Sequence, residues 1–179
     1  MDGIVLVTGA SGFLGSHIVA NLLARGRRVR ATVRDPNDPE RVDHLKALPV
    51  GGGGSLELVE MDLLDAASVN IAVADCSDII HAAAALHVGK MDPQRDVVDP
   101  SIMGTHNVCD AIDSTSTVKR LVHTSSTAAI RKTHFEHEQV FNADMWADDE
   151  PLTLEDNAYG LAKVGAERVV REWHSKSDP

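Results

Sequence analysis

The stretch NAYGLAKVGAER (157–168) places a tyrosine and a lysine four residues apart, Tyr159 and Lys163. Most of its residues favour a helix, in which positions i and i+4 share a face, so these two side chains should project together. A phenol, with an ordinary pKa of about 10, is a poor acid–base catalyst at neutral pH unless a nearby positive charge stabilises its anion. The spacing therefore predicts a proton donor with an electrostatic partner, although the same spacing also occurs by chance on helices without a catalytic role.

A serine that could assist such a donor lies in the segment TSS (124–126), which closes an apolar run. In an open parallel sheet, ligands bind outside the carboxyl ends of the strands. A serine hydroxyl at that position could donate a hydrogen bond to a substrate carbonyl and polarise it. An ordinary helix cap or turn is the alternative interpretation of the same residues.

The segment VTGASGFLGSH near the start carries three glycines, Gly9, Gly12 and Gly15. It follows a predicted strand and opens a predicted helix, which is the context of a dinucleotide-binding turn. Glycines there permit a tight turn, a close approach of the backbone to a pyrophosphate, and close packing of the helix on the strand. The free N–H groups of the helix N-terminus then bind the phosphates. We therefore predict dinucleotide binding; a turn that only packs the first strand and helix is the alternative.

The end of the second predicted strand should select the cofactor. An acidic residue there binds the ribose of NAD, whereas an arginine accommodates the 2′-phosphate of NADP. The sequence has both, Arg34 followed by Asp35. Further arginines nearby favour a dianionic phosphate in an otherwise acidic chain, so we predict NADP. The alternative is that the arginines form solvated pairs with neighbouring carboxylates. The further arginines are Arg27, Arg28, Arg30 and Arg41, and the carboxylates are Asp35, Asp38 and Glu40.

The elements that position these residues alternate between strand and helix. Short apolar or β-branched runs predict five strands, and runs with helical spacing separate them. This order predicts an α/β protein with a doubly wound parallel sheet, an NAD(P)-binding Rossmann fold, in one domain over 1–179. The predicted strands are 3–8, 27–34, 55–63, 77–84 and 118–126. The predicted helices run from the glycine turn to Gly26, over 40–48, over 65–74, over 94–113 with a kink near Pro100, and from about Ala158.

Composition limits the classes of partner. The net charge of −10 argues against nucleic acid or an anionic membrane as the main partner. No apolar run reaches membrane-spanning length and the start has no basic n-region, so we expect a cytoplasmic protein. Cys76 and Cys109 fit no metal or redox spacing and are expected to be reduced and buried. His134 and His137 lack further spaced ligands, so we expect no metal.

Together these segments resemble the extended short-chain dehydrogenase/reductases, and most of all the dihydroflavonol reductase and cinnamoyl-CoA reductase group. They cover the chain nearly end to end, in the order and at the spacing of that family. The matching stretches are VTGASGFLGSHIV, RVRATVRDPNDPERVDHL, VEMDLLD, IIHAAA, DVVDPSIMGTHNV, VKRLVHTSS and YGLAK.

The resemblance implies a role for individual residues. Ser126 would be the catalytic serine, Tyr159 the proton donor, and Lys163 its partner, with Tyr159 and Lys163 also contacting the cofactor. The pyrophosphate turn would comprise Gly9, Ser11, Gly12, Phe13, Leu14 and Gly15. The 2′-phosphate would bind Arg34 and Arg41, the adenine would lie between Asp62 and Leu63, and the cofactor would run beside Ala82, Ala83 and Ala84.

The implied reaction is hydride transfer from NADPH to a small-molecule carbonyl. The family's chain is longer, so we expect this one to be its N-terminal, cofactor-binding half without the substrate lobe. Two alternatives stay open: an NADP(H)-binding module or inactive fragment without a substrate pocket, and an NAD-dependent sugar-nucleotide epimerase or dehydratase. Arg34 argues against the latter. Neither the substrate nor the oligomeric state follows from the sequence, and a homodimer is compatible with it.

Overall fold

A computed structural model of the chain describes residues 3–85, 92–131, 138–147 and 153–177. The chain divides into two compact units, one formed by 1–83 and 110–124 and the other by 84–109 and 125–179. The sheet belongs to the first unit, and the residues predicted to be catalytic belong to the second. That the whole of 1–179 folds as one domain stays a prediction.

The first unit contains a parallel sheet with the strand order β3-β2-β1-β4-β5. The chain moves outward from β1 to β3 and then returns to the other side of β1, so the order reverses between β1 and β4. Such a reversal is where a doubly wound sheet binds its ligand. This confirms the predicted fold class. The strands are β1 (Ile4–Thr8), β2 (Arg28–Val33), β3 (Ser55–Glu60), β4 (Cys76–His81) and β5 (Arg120–His123).

Three strands end three residues earlier than the apolar runs suggested, and β2 ends one residue earlier. β3 ends at Glu60, β4 at His81 and β5 at His123. Where β1, β4 and β5 pair with one another, the last paired residues are Thr8 with His81 and His81 with His123. The alanines after β4 and the serines after β5 therefore lie beyond the paired part of the sheet. Segments outside the strand ends are free to adopt the irregular backbone that a binding site needs.

Three helices of the first unit follow the predicted positions: α1 (Phe13–Ala24), α2 (Pro39–Lys46) and α3 (Ala66–Val73). The side chains of Asp38 and Asp65 cap α2 and α3 by accepting hydrogen bonds from the N–H groups of Glu40 and Ala67. Gly26 has a φ of +72° just after α1, as expected of a helix stop. The apolar faces of α1, α2 and the sheet share one core, formed by Val7, Ala10, Val19, Leu23, Val29, Ala31, Val33, Val42 and Leu45.

The helical stretch predicted over 94–113 is observed, and its irregularity lies just before the proline near which a kink was predicted. A wider π-type turn covers Gln94–Val98, and α4 (Asp99–Asp113) follows directly. Pro100 has no N–H to donate to the preceding turn, so a regular α-helical ladder cannot continue through it. The hydroxyl of Ser101 donates to the carbonyl of Val97 at 2.7 Å across this junction.

The second unit contains a short 3₁₀ turn (Thr127–Ala129) and the long helix α5 (Leu154–Ser177). Asn157 has a non-helical φ of −160° and ψ of 67°, and its side-chain oxygen accepts a hydrogen bond from the N–H of Gly160 at 2.7 Å. Asn157 thus caps the part of α5 that starts at Ala158, where the sequence predicted the helix to begin. Two apolar clusters fix α5: Val97, Val98 and Ala162 form one, and Ala129, Ala147 and Val164 form the other.

Candidate functional site

Two of the three glycines in the first turn have a visible steric reason. Gly9 has a φ of +67°, and a Cβ there would lie 2.8 Å from the Cα of Ala83. A Cβ on Gly15 would lie 2.1 Å from the carbonyl oxygen of Gly9. The turn after β1 therefore approaches the segment after β4, and α1 packs on the turn, closer than any side chain allows.

The N-terminus of α1 carries no capping side chain among the described residues. The N-cap residue is Gly12, which has no side chain to accept a hydrogen bond from the helix. No acidic residue lies in the first turn. Gly12 and Leu14 are exposed, and the side chain of Phe13 is 86% exposed. Since the first N–H groups of a helix have no partner within the helix, this end is suited to an anion.

Thr8 ties β1 to β4 at the edge of this turn, a role that sequence reasoning missed. Its Oγ1 accepts a hydrogen bond from the N–H of Ala83 at 3.1 Å and lies 2.8 Å from Nδ1 of His81. His81 is only 2% exposed, so this contact lies within the core. A threonine directly before the first glycine, with a histidine at the end of a later strand, was the signal available.

The arginine cluster is narrower than its sequence suggested. Arg30 Nε donates to Glu57 at 2.8 Å, and its Nη1 donates to the carbonyls of Ala72 and Ala74 at 3.0 and 2.6 Å. Arg30 therefore links β2 to β3 and to the end of α3, and these contacts occupy donors that the sequence had assigned to a phosphate.

The arginines predicted to meet the 2′-phosphate behave differently. Arg34 and Arg41 are both exposed beyond the end of β2. Arg41 Nε lies 3.3 Å from Oδ2 of Asp38, so the predicted alternative of a solvated ion pair applies to Arg41. Such an exposed pair contributes only about 0–1 kcal/mol, which a phosphate could readily replace.

Cys76 packs under Arg30 and is buried, as is Cys109. Burial raises the pKa of the Cys76 thiol to about 11, although the neighbouring guanidinium opposes the shift. A thiol with so high a pKa is a poor nucleophile at neutral pH. Cys76 is therefore a packed residue of the sheet, as the sequence predicted.

The segment predicted to flank the adenine forms a tight turn after β3. Asp62 Oδ1 accepts a hydrogen bond from the N–H of Leu64 at 2.9 Å, and the Ser68 hydroxyl donates to the Asp62 carbonyl at 3.0 Å. Leu63 is half-buried. An open pocket adjoins the turn, lined by Val59, Glu60, Asp62, Asp65, Ser68 and Ile71.

In the second unit, Ser126 starts the 3₁₀ turn. Its Oγ accepts a hydrogen bond from the N–H of Ala128 at 3.1 Å. The cap that the sequence offered as an alternative therefore exists. It does not exclude the catalytic role, because an oxygen that accepts this bond still has its hydroxyl proton to donate.

Tyr159 and Lys163 lie on α5 with Nζ of Lys163 5.9 Å from the centre of the Tyr159 ring. The expected proximity of these two residues is therefore observed. Lys163 is only 6% exposed, and its burial lowers the pKa of its ammonium group below the ordinary value. A buried ammonium beside a phenol is a strong electrostatic influence, because little water screens it.

A carboxylate one turn further along α5, that of Glu167, was not predicted from the sequence. Glu167 accepts hydrogen bonds from the hydroxyl of Ser125 and from the guanidinium of Arg171. Only its i+4 spacing from Lys163 could have indicated it.

His134 and His137 lie outside the described residues. Among the residues that are described, no three His, Cys, Asp or Glu side chains come together as a metal site would require. Within the same residues, no helix is both long enough and apolar enough to cross a membrane.

Comparison with known proteins gives the class. The profile of the "NAD dependent epimerase/dehydratase family" matches residues 5–178. The chain belongs to this family, which agrees with its resemblance to the extended short-chain dehydrogenase/reductases. The family description names epimerases and dehydratases, whereas the similar curated proteins are reductases, so membership alone does not decide the reaction.

Individual relatives include plant reductases. The chain is 42% identical over 130 residues, or 73% of its length and 40% of the relative's, to "Cinnamoyl-CoA reductase CAD2" from Medicago truncatula. It is 34% identical over 178 residues, or 98% of its length and 50% of the relative's, to "Dihydroflavonol 4-reductase" from Hordeum vulgare. The chain thus spans about half the length of the curated relatives it matches.

A solved structure supports the fold. The crystal structure of yeast methylglyoxal/isovaleraldehyde reductase Gre2, complexed with NADPH, is 26% identical and superimposes with a TM-score of 0.81. The likeness covers 97% of this chain and 53% of the yeast chain.

Proposed function

We propose that this chain is the cofactor-binding part of a reductase that transfers a hydride from NADPH to an aldehyde or ketone. Tyr159 is the proton donor of this reaction. The observation that carries the proposal is the buried ammonium of Lys163 beside Tyr159 on one helix. The reductases among the relatives and the yeast structure with NADPH point in the same direction.

Each residue has a defined task in this proposal. NADPH, when bound, supplies the hydride to the carbonyl carbon. Ser126 donates a hydrogen bond to the carbonyl oxygen, where negative charge develops. Tyr159 transfers its proton to that oxygen, which completes the alcohol, and Lys163 stabilises the phenolate that remains. Bulk water then returns a proton to the tyrosine.

The cofactor assignment rests on the first unit. The glycine turn and the uncapped N-terminus of α1 suit a pyrophosphate. Arg34, exposed just beyond β2, suits the 2′-phosphate of NADP, with Arg41 as a second candidate. The contacts proposed for Ser11, Asp62, Leu63, Tyr159 and Lys163, and for the alanines 82–84, follow the resemblance.

The substrate is open within the carbonyl compounds: an aldehyde, a hydroxycinnamoyl thioester, a flavonoid or a steroid ketone. Arg131 stands where dihydroflavonol reductases typically have an asparagine that meets the flavonoid. A flavonoid is therefore not the substrate that we favour. A small molecule, and neither nucleic acid nor membrane, is the expected partner, and a cytoplasmic location stays a prediction.

Two other functions compete with a reductase. A binding module would hold NADPH through the same turn without turnover. An epimerase or dehydratase would use the same catalytic residues with NAD, and Arg34 is the observation against it, because such enzymes favour an acidic residue at that position.

A titration of the chain with NADPH and NADH, followed by nicotinamide fluorescence, tests the cofactor assignment first. We expect NADPH to bind more tightly, and Arg34→Ala to reduce that preference by roughly tenfold, the loss of one charge-assisted contact. Preference for NADH would overturn the 2′-phosphate assignment and favour the epimerase. NADPH consumption with methylglyoxal, isovaleraldehyde and cinnamoyl-CoA then separates the reductase from the binding module.

A further inference from the structure

We infer that Glu167 is a positioning residue for the catalytic serine: it holds Ser125, and through it the backbone that presents Ser126. The role of Glu167 for catalysis rests on the proposed function. The geometric part, that Glu167 holds this segment, stands on the contacts alone.

The contacts of Glu167 divide its carboxylate between two partners. Oε2 accepts a hydrogen bond from the hydroxyl of Ser125. Oε1 accepts from Nε and Nη2 of Arg171 at 2.9 and 2.7 Å. The side chain of Glu167 is only 15% exposed, so water competes weakly for either oxygen. Charge-assisted bonds in such surroundings are stronger and more directional than neutral ones.

Arg171 makes further contacts of its own, which restrict its guanidinium and therefore the carboxylate of Glu167 that it binds. Its guanidinium lies 5.2 Å from the centre of the Trp146 ring, and Nη2 lies 3.4 Å from the carbonyl oxygen of Ala143. The guanidinium of Arg168 lies over the same ring at 4.8 Å. Cation–π contacts of this kind restrict the arginine and the tryptophan together. Glu167 thus connects Ser125 to the segment 138–147 through Arg171.

The spacing along α5 places this contact in line with the proposed chemistry. Tyr159, Lys163, Glu167 and Arg171 follow one another at intervals of four residues. Residues at that spacing form one stripe on a helix. The same stripe therefore carries the proton donor, its ammonium partner and the carboxylate that holds the neighbour of Ser126.

Ser126 is consequently restrained from both sides. Its preceding residue is bound to Glu167, and its own Oγ accepts the N–H of Ala128. Weakening the first restraint should let the hydroxyl leave the position from which it meets a carbonyl oxygen. A displacement of about 1 Å can cost roughly a hundredfold in rate.

The test uses Glu167→Gln and Ser125→Ala, with Glu172→Gln as the matched control, since Glu172 is an exposed acid of the same helix. Hydrogen–deuterium exchange on the NADPH-loaded protein is the first readout. We expect faster exchange at the Ala128 amide in both variants, with unchanged protection in α5 and an unchanged Kd for NADPH. Unchanged exchange at Ala128 would overturn the inference, whether or not the protein proves to be a reductase.

Turnover gives the second readout. We expect Glu167→Gln to lower kcat by about tenfold or more while the control does not. In a Ser126→Ala background, the same change should have almost no further effect, because it acts through Ser126. An equal loss in both backgrounds would overturn the positioning role. A Ser126→Ala variant with full activity would instead refute the proposed role of Ser126, and a wild type without turnover would favour the binding module. Either result leaves only the structural contact, judged by exchange.

Discussion

The glycine turn of the first unit and the stripe of Tyr159, Lys163, Glu167 and Arg171 on α5 of the second are built from different materials. The turn is made of backbone: its function depends on missing side chains at Gly9 and Gly15 and on the uncapped end of α1. The stripe is made of side chains whose properties come from their surroundings, such as the buried Lys163. The first kind of site tolerates no added atom, whereas the second is sensitive to a change of one functional group.

The largest effect is expected from a substitution that disables the stripe in the second unit and leaves the glycine turn of the first unit intact. Tyr159→Phe removes the hydroxyl that we propose as the proton donor, so we expect kcat to fall by roughly 10² to 10⁴, the usual contribution of general acid catalysis. NADPH should still bind, since the turn and the helix end of the first unit are intact. Single-turnover oxidation of NADPH and a fluorescence titration measure the two effects separately. A variant with normal turnover would show that another group supplies the proton.

The next largest effect is expected from a substitution that adds one methyl group to the glycine turn of the first unit. Gly15→Ala places a Cβ 2.1 Å from the Gly9 carbonyl oxygen, so α1 must move away from the turn. We expect a loss of about 1–3 kcal/mol in the free energy of unfolding and a large loss of NADPH affinity. Denaturant unfolding and the NADPH titration measure them.

Gly52→Ala is the matched control, because a Cβ there has no heavy atom within 4 Å. It should change the free energy of unfolding by less than about 0.5 kcal/mol. Equal effects of the two alanines would contradict the steric account of the turn.

The same difference explains what the sequence could reveal. The strand–glycine turn–helix order follows from local spacing, so the parallel sheet, the turn and the part of α5 that follows Asn157 were predictable. Contacts between distant residues were not. Arg30 was counted with the phosphate-binding arginines, yet its partners Glu57, Ala72 and Ala74 lie 27 or more positions away.

Glu167 was missed for the same reason as Arg30 was misassigned. Its partner Ser125 is 42 positions distant, and a glutamate on a helix normally faces solvent. Local periodicity can place a residue on a face of a helix, but it does not reveal what covers that face. The burial of Lys163 likewise depends on packing that no local pattern describes.

The smallest expected effect is a pH dependence of the free energy of unfolding that comes from the buried Lys163 of the stripe. Burial lowers the pKa of Lys163 in the folded protein below its ordinary value of 10.5, because the charged form loses hydration. Between the lowered pKa and 10.5, the unfolded chain binds more protons at this residue than the folded chain. Stability from Lys163 therefore rises with pH in that interval, and below the lowered pKa its unfavourable contribution is constant.

We expect the free energy of unfolding of the wild type, minus that of Lys163→Met, to increase as the pH is raised towards 10.5. Urea unfolding at a series of pH values measures this difference, and Lys176→Met controls for the loss of an exposed lysine from the same helix. A difference that falls with pH would mean that the ammonium form is favoured in the folded protein. The influence of Lys163 on Tyr159 would then come from ion pairing at Lys163 and not from its burial. The stripe would then differ from the backbone-built turn in its charges, and burial would not be part of that difference.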